Sequence, residues 1–412
     1  MVITMTSRER VRLILNHQEA DRPAIDLGST RMTGMTGWTY AALKERLGLD
    51  PKPVRIFDLF QMLAEVERPV LDALSCDFEM LLSSDLPLGT TYGAWKPFTF
   101  WSGQTFLVPA DFEPRVGEDG SLESPSESGG EYTMRMPEGG RFFDKIPNEN
   151  EDIFSVELIP ESEWEFPEPF EDEWLREQEG KARGLYESTD RAIVASPPVG
   201  AAQGYGNLYW WAMQMLSEPD YCAAYMQRHA DAAARRFRQY LDAVGKYIDV
   251  VVISGYDYGG QSQEMFNPEL FATFYVPAWR RVTDVIHGYE GVKTWVHSCG
   301  AVAGFIPHFI KAGVDCLNPV QWTAAGMDLA TLKREYGRKL TFWGGAISTQ
   351  RTFPFGSPAD VAAEAEEVLD IMASGGGYVV NPIHNVLPEV PVENILALYR
   401  TAAGYRTAAA RA

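Results

Sequence analysis

The chain has 412 residues, of which 45% are hydrophobic and 12% aromatic, and a formal net charge of -21. That acidity excludes nucleic acid and an anionic membrane surface as partners, because polyanions repel at long range, and no apolar run approaches the roughly 20 residues of a membrane span. The length allows two or three domains or a single barrel with insertions, and the apolar content allows one large core; a single domain over residues 1–412 is the expectation.

Thr6 with Glu9 three residues on makes a capping box, and Val11, Leu13 and Ile14 follow at helical spacing, so a helix opens the chain and stops near His17. From there short apolar runs recur at 23–28, 78–83, 192–196, 250–255, 293–299, 314–320, 340–345 and 378–383. Helical patterns stand between them at 219–244, 268–287, 301–312, 327–336, 358–374 and 391–401, several opening on proline, which suits a first helical turn. Strand and helix in alternation mean βα units and a parallel sheet. Eight units point to a (β/α)8 TIM barrel with its active site at the carboxyl ends of the strands. The competing architecture is an open doubly wound sheet, but no Gly-x-Gly-x-x-Gly turn follows the first run.

Residues 88–188 break this rhythm. Turn signals at Glu118-Asp119-Gly120, Ser128-Gly129-Gly130 and Glu138-Gly139-Gly140, with β-like pieces at 105–108 and 132–136, describe a partly β insertion between the second and third strands. An acidic segment at 161–179 follows it. The insertion reads as a solvated surface excursion or, alternatively, as a lid or docking face.

The four cysteines, Cys76, Cys222, Cys299 and Cys316, lack the spacing of a disulfide framework and fit a reducing compartment. The start, Met1-Val2-Ile3-Thr4-Met5, has none of the regions of a signal peptide, so a cytoplasmic protein is expected. His297-Ser298-Cys299-Gly300 closes the fifth run, and alternation along a strand would point His297 and Cys299 the same way. Imidazole and thiolate together suit a borderline-soft ion such as zinc, and the best third ligand is His384 after the eighth run. Strands five and eight stand roughly 12 to 13 Å apart around such a ring, which two inward side chains can span. Three protein ligands with a vacancy is the catalytic pattern; the alternative is a satisfied core histidine beside a buried thiol.

Other polar groups converge at the strand ends: Asp26, Asp85, Asp257, Asn318, Gln321, Gly345 and Asn381. Asp257 reads as general base, ligand holder or merely a loop-ordering residue. Asp26, Asn318, Gln321, Gly345 and Asn381 are candidates for contact with substrate. Cys316 is expected to pack, His17, His229, His287 and His308 to lie at the surface or cap helices, and Trp210, Trp211 and Met213 to belong to the core or wall an apolar cavity.

These residues carry a resemblance. Ser7-Arg8-Glu9-Arg10-Val11 with Asp21-Arg22-Pro23, the 255–261 segment, His297-Ser298-Cys299-Gly300, Phe342-Trp343-Gly344-Gly345 with Gln350, and the stretch from His384 to Asn394 are similar to the uroporphyrinogen decarboxylase superfamily, (β/α)8 barrels that include zinc- and corrinoid-dependent methyltransferases. The decarboxylases grip substrate carboxylates with an arginine-rich amino-terminal motif; the corresponding 26–33 segment here has one arginine, Arg31, which argues against a polycarboxylated porphyrinogen. The methyltransferases bind zinc through His-x-Cys on strand five and a cysteine after strand eight. This chain keeps the first two as His297 and Cys299 and departs at the third, where His384 resembles the decarboxylase branch.

The resemblance implies a zinc-dependent methyltransferase, with the corrinoid (cobalamin) on a separate partner protein and His297, Cys299 and His384 as ligands. Imidazole in place of a thiolate leaves the metal more positive, which favours polarising a methoxy oxygen or similar methyl donor. A small-molecule donor or acceptor is then the direct partner, and a homodimer is compatible. The alternatives are a metal-free lyase acting on a small or aromatic acid, with His384 and Asp85 as its polar groups, and a non-catalytic binding barrel.

Overall fold

The computed structural model describes residues 5–126, 130–146 and 156–407. Most of the Ser128-Gly129-Gly130 turn and of the Met1-to-Met5 start lies outside the described residues. The core is a ring of eight parallel strands: β1 (Ala24–Ile25), β2 (Phe78–Leu81), β3 (Ala192–Ala195), β4 (Val250–Ser254), β5 (Lys293–His297), β6 (Cys316–Asn318), β7 (Thr341–Trp343) and β8 (Tyr378–Val380). Their order is β1-β8-β7-β6-β5-β4-β3-β2. The two end strands meet where the Asp77 amide donates to Ile25 O at 2.7 Å, so the barrel is nearly closed. Runs such as Val250-Val251-Val252-Ile253 are apolar throughout because helices cover the outside and the barrel core fills the inside.

Carboxylates set the amino ends of the strands. Asp77 accepts the Ile25 amide, Asp249 the Ile193 amide and Asp315 the Thr294 amide, each within 3.0 Å. Arg10 and Arg22 brace the fully buried Asp77 at 2.8 and 2.6 Å, so these two arginines latch the seam at the amino end of the barrel. The opening helix, Ser7–Leu15, carries the expected Thr6–Glu9 capping box. It drives Val11, Ile14 and Leu15 into the same apolar cluster as Phe78, Trp295, Trp343 and Val379. That cluster plugs the amino end of the barrel, and a ligand's way in is from the opposite, carboxyl end.

The helix Pro219–Val244 has the bounds its sequence pattern sets, and the 268–287 pattern is a helix interrupted by a wider turn at Phe271–Tyr275. Among the described residues five further helices, Gly37–Arg46, Arg68–Ala73, Asp172–Ser188, Leu208–Ser217 and the short Thr352–Phe355, lie outside the helical patterns of the sequence. Asp172–Ser188 sits in the outer ring, with Trp174 6.0 Å from Tyr240 of Pro219–Val244. Between β2 and that helix a hairpin, Trp95–Thr99 with Thr105–Pro109, precedes a small antiparallel sheet of Arg115–Val116, Leu122–Pro125, Tyr132–Met136 and Asp144–Lys145. The hairpin leans on Gly37–Arg46 through Trp38 and Phe106, 5.4 Å apart and edge-on. Among the described residues, no helix is long and apolar enough to cross a membrane.

Candidate metal centre and its cavity

The ladder between β5 and β6 ends at the pair His297 and Asn318. Asn318 is fully buried, and its amide nitrogen donates to Trp343 O at 3.1 Å. That bond directs the amide oxygen toward His297 Nδ1, 2.7 Å away. With Nδ1 as donor, Nε2 keeps a lone pair for the strand-end side.

Cys299 lies beyond the last residue of β5, so a loop rather than the pleat brings its Sγ to 3.4 Å from His297 Nε2. Asp257, on the loop after β4, fixes that loop: its Oδ1 accepts the Cys299 amide at 2.6 Å and stands 3.5 Å from His297 Nε2. Two more bonds hold the crossing, from the Tyr258 amide to Ser298 Oγ at 2.8 Å and from the Gly300 amide to Gln321 Oε1 at 2.8 Å. Gly300 has φ +87°, and a Cβ there would come within 2.3 Å of Gly259 O, so the sharp turn after Cys299 needs glycine.

His384 follows β8 and is held through its neighbour. Asn385 accepts the Gly34 amide at 2.6 Å and donates to Arg31 O at 3.0 Å and Gln61 Oε1 at 2.9 Å. The His384 and His297 rings meet nearly perpendicular, 5.5 Å between centroids. One donor atom from each of His297, Cys299 and His384 lies within 4.8 Å of the others. Tetrahedral bonds of about 2.0–2.3 Å put ligand atoms roughly 3.5 Å apart, so the cysteine–histidine spacing already suits a cation and small rotations bring in His384.

Protonation supports the same fit. Burial, and secondarily His297, pushes His384 down to about 4, and burial lowers His297 as well, so both imidazoles are neutral, the ligating form. Burial first, and then Asp257, pushes the Cys299 thiol up; a cation is what would make it thiolate.

His297 and His384 open onto a cavity of about 690 Å³, within the range of small-molecule sites. Met32, Phe57, Phe60, Met80, Pro197 and Pro198 form apolar wall, and Arg31, Asp85, Asp257, His297 and His384 reach it with polar atoms. Asp85 is exposed, on the short strand Asp85–Leu86.

Asp26, Asn318, Gln321, Gly345 and Asn381 stand behind the wall. Asp26 is fully buried, accepting from Trp343 Nε1 at 2.9 Å, and burial pushes it up to about 6. Asn381 donates to Asp26 O at 3.1 Å, Gln321 spends its amide on Gly300 and Gln261, and Gly345 presents its carbonyl to Trp322 Nε1 at 2.9 Å. Cys316 packs in the barrel floor. Trp210 and Trp211 are core, whereas Met213 faces outward at 51% exposure. His308 is buried on its helix rather than at the surface, and His229 bonds inward to Gln203 O at 2.9 Å.

Of the cavity wall, Phe57, Phe60, Met80 and Pro197-Pro198 went unread in sequence. The doubled proline directly after the third apolar run was the available signal; nothing local marks the phenylalanines.

Fold and site together define a (β/α)8 barrel with a three-ligand candidate metal centre at its strand ends. The family model for uroporphyrinogen decarboxylase (URO-D) matches residues 200–405, half of the chain, and the chain belongs to that family. It is 25% identical over 205 residues to the uroporphyrinogen decarboxylase of Gloeobacter violaceus, covering 48% of this chain and 52% of that one. To that of Trichormus variabilis it is 24% identical over 229 residues, 53% of this chain and 59% of the other. The match thus spans little more than half the length of these curated relatives. A methyltransferase from Methanosarcina mazei has a similar fold, with TM-score 0.55 over 97% of this chain and 99% of that one, at 14% identity.

Proposed function

We propose that this protein is a zinc-dependent methyltransferase. It moves a methyl group between a small methylated compound, for example a methoxylated one, or a thiol, and a corrinoid carried on a partner protein. The observation that carries the reading is the meeting of His297, Cys299 and His384 beneath an apolar cavity in a barrel closed at its other end.

Bound there, the ion supplies Lewis acidity toward a methyl-bearing oxygen or sulfur. The chain supplies the rest. Asn318 fixes the tautomer of His297, and the Asp257 carboxylate fixes the Cys299 loop and, 3.5 Å from His297 Nε2, would take or return a proton for a substrate held there. Methionine, phenylalanine and proline side chains supply an apolar wall for the substrate body. A cavity of about 690 Å³ suits a drug-sized ligand, so a corrin ring would approach from the mouth.

The second reading is a lyase, favoured by Asp85 and His384 lining the same cavity and by the named activity of the curated relatives. Purified protein incubated with cob(I)alamin and methoxylated arenes separates the two. Zinc-loaded protein is expected to form methylcobalamin, and metal-free or Cys299→Ala protein is not. Equal rates without metal, or release of carbon dioxide from an aromatic acid by metal-free protein, would contradict the methyltransferase.

A further inference from the structure

We infer that Arg31 is the polar anchor of this cavity, and that the substrate is a compact, uncharged, largely apolar molecule with one oxygen acceptor besides its methylated group. The inference deepens the proposed methyltransferase reading and rests on the cavity being its substrate site.

Arg31 lines the cavity with its side chain 43% exposed, yet it is not loose. Fully buried Asp58 holds its Nε at 2.6 Å. Asp58 cannot swing away, because it also accepts from the Gln61 amide at 2.9 Å and from Gln61 Nε2 at 3.3 Å. Among the described residues neither Nη atom of Arg31 has a hydrogen-bond partner. A guanidinium gripped at Nε thus keeps its Nη groups in a preset orientation, free to exchange water for a ligand acceptor.

The anchor is also tied to the metal end. Asn385, next to His384, donates to the Arg31 carbonyl at 3.0 Å, so one brace sets both Arg31 and His384.

Charge chooses the head group. Arg31 is the one lysine or arginine among the described lining residues, and Asp58 already balances it. The other charged wall residues apart from histidine are Asp85 and Asp257, both acidic. With zinc bound, its two charges would be offset by the Cys299 thiolate and by Asp257, 3.5 Å from His297 Nε2, so a carboxylate head would still find no unbalanced cation, and a polycarboxylate would fare worse. An amide, carbonyl or hydroxyl oxygen takes the two Nη donors without that penalty, and the apolar wall takes the remainder.

Calorimetric titration with 4-methoxybenzamide and 4-methoxybenzoate tests this. The amide is expected to bind at least about tenfold more tightly than the benzoate, and Arg31→Met to weaken amide binding at least about tenfold with zinc content unchanged. Asp58→Asn, which leaves the cation unbalanced, is expected to shift preference toward the benzoate, and it reads the charge argument even if Arg31→Met fails to fold. Benzoate binding as tight as the amide in wild type, no binding of either, or an Arg31→Met variant that binds the amide normally would overturn the inference. Loss of zinc binding with these preferences intact would instead sink the metal reading alone.

Discussion

Asp26 is a carboxylate buried with hydrogen bonds but no cation, and that makes its protonation a matter of stability. Burial raises it from 3.8 to about 6, so between those pH values the folded protein keeps a proton that the unfolded chain has released. The native state then binds more protons, and its stability falls as pH rises through that window, by about 3 kcal/mol when complete. In Asp26→Asn this component is absent. Chemical unfolding of both proteins at about pH 4 and pH 7 should show the wild type losing ground to the variant at the higher pH; a difference flat with pH would contradict burial as the cause. The position was visible in sequence as a polar residue ending an apolar run, but its distance from the cavity was not. The indole that donates to it, that of Trp343, is 317 residues away. Arg31 was legible only as a lone arginine, since the carboxylate that grips it lies 27 residues on.

Between β4 and β5, two loops cross with backbone against backbone, and this crossing places Cys299 and Asp257. Gly300→Ala would drive a Cβ into Gly259 O and strain a positive φ as well. The expected cost is about 2 kcal/mol or more, with a drop in zinc affinity of at least about tenfold, read by thermal unfolding and chelator competition. Gly48→Ala is the control, since it also has a positive φ but open space around it. It should cost about 1–2 kcal/mol and leave zinc binding alone; equal effects of the two variants on zinc would contradict the crossing as the placing device. At this scale sequence was a good guide to where strands begin, because buried parallel strands are continuous apolar runs. It overshot their ends: the fifth run was read through Cys299, but β5 stops at His297 and a turn does the rest. The helix Asp172–Ser188 stayed hidden because the residues it fully buries, Gln178 and Ala182, do not stand out as apolar in an acidic stretch.

The whole molecule is a barrel stoppered at its amino end by the opening helix and open at the other, where the strand ends gather polar groups from distant parts of the chain. Barrel class followed from the count and spacing of βα units, and His297 with Cys299 from local spacing. The meeting of that pair with His384 depends on ring closure, which puts β5 and β8 in the same mouth. The stretch joining β1 to β2, which contributes Phe57 and Phe60 to the cavity, has no periodic signature and could be placed only in three dimensions. Elemental analysis of the purified protein, beside its Cys299→Ala and His384→Ala variants, tests the common site most directly. The account predicts close to one zinc per chain in the wild type and marked loss in both variants, with folding retained by circular dichroism; a wild type without bound metal after equilibration with zinc, or variants that hold it as tightly, would contradict it.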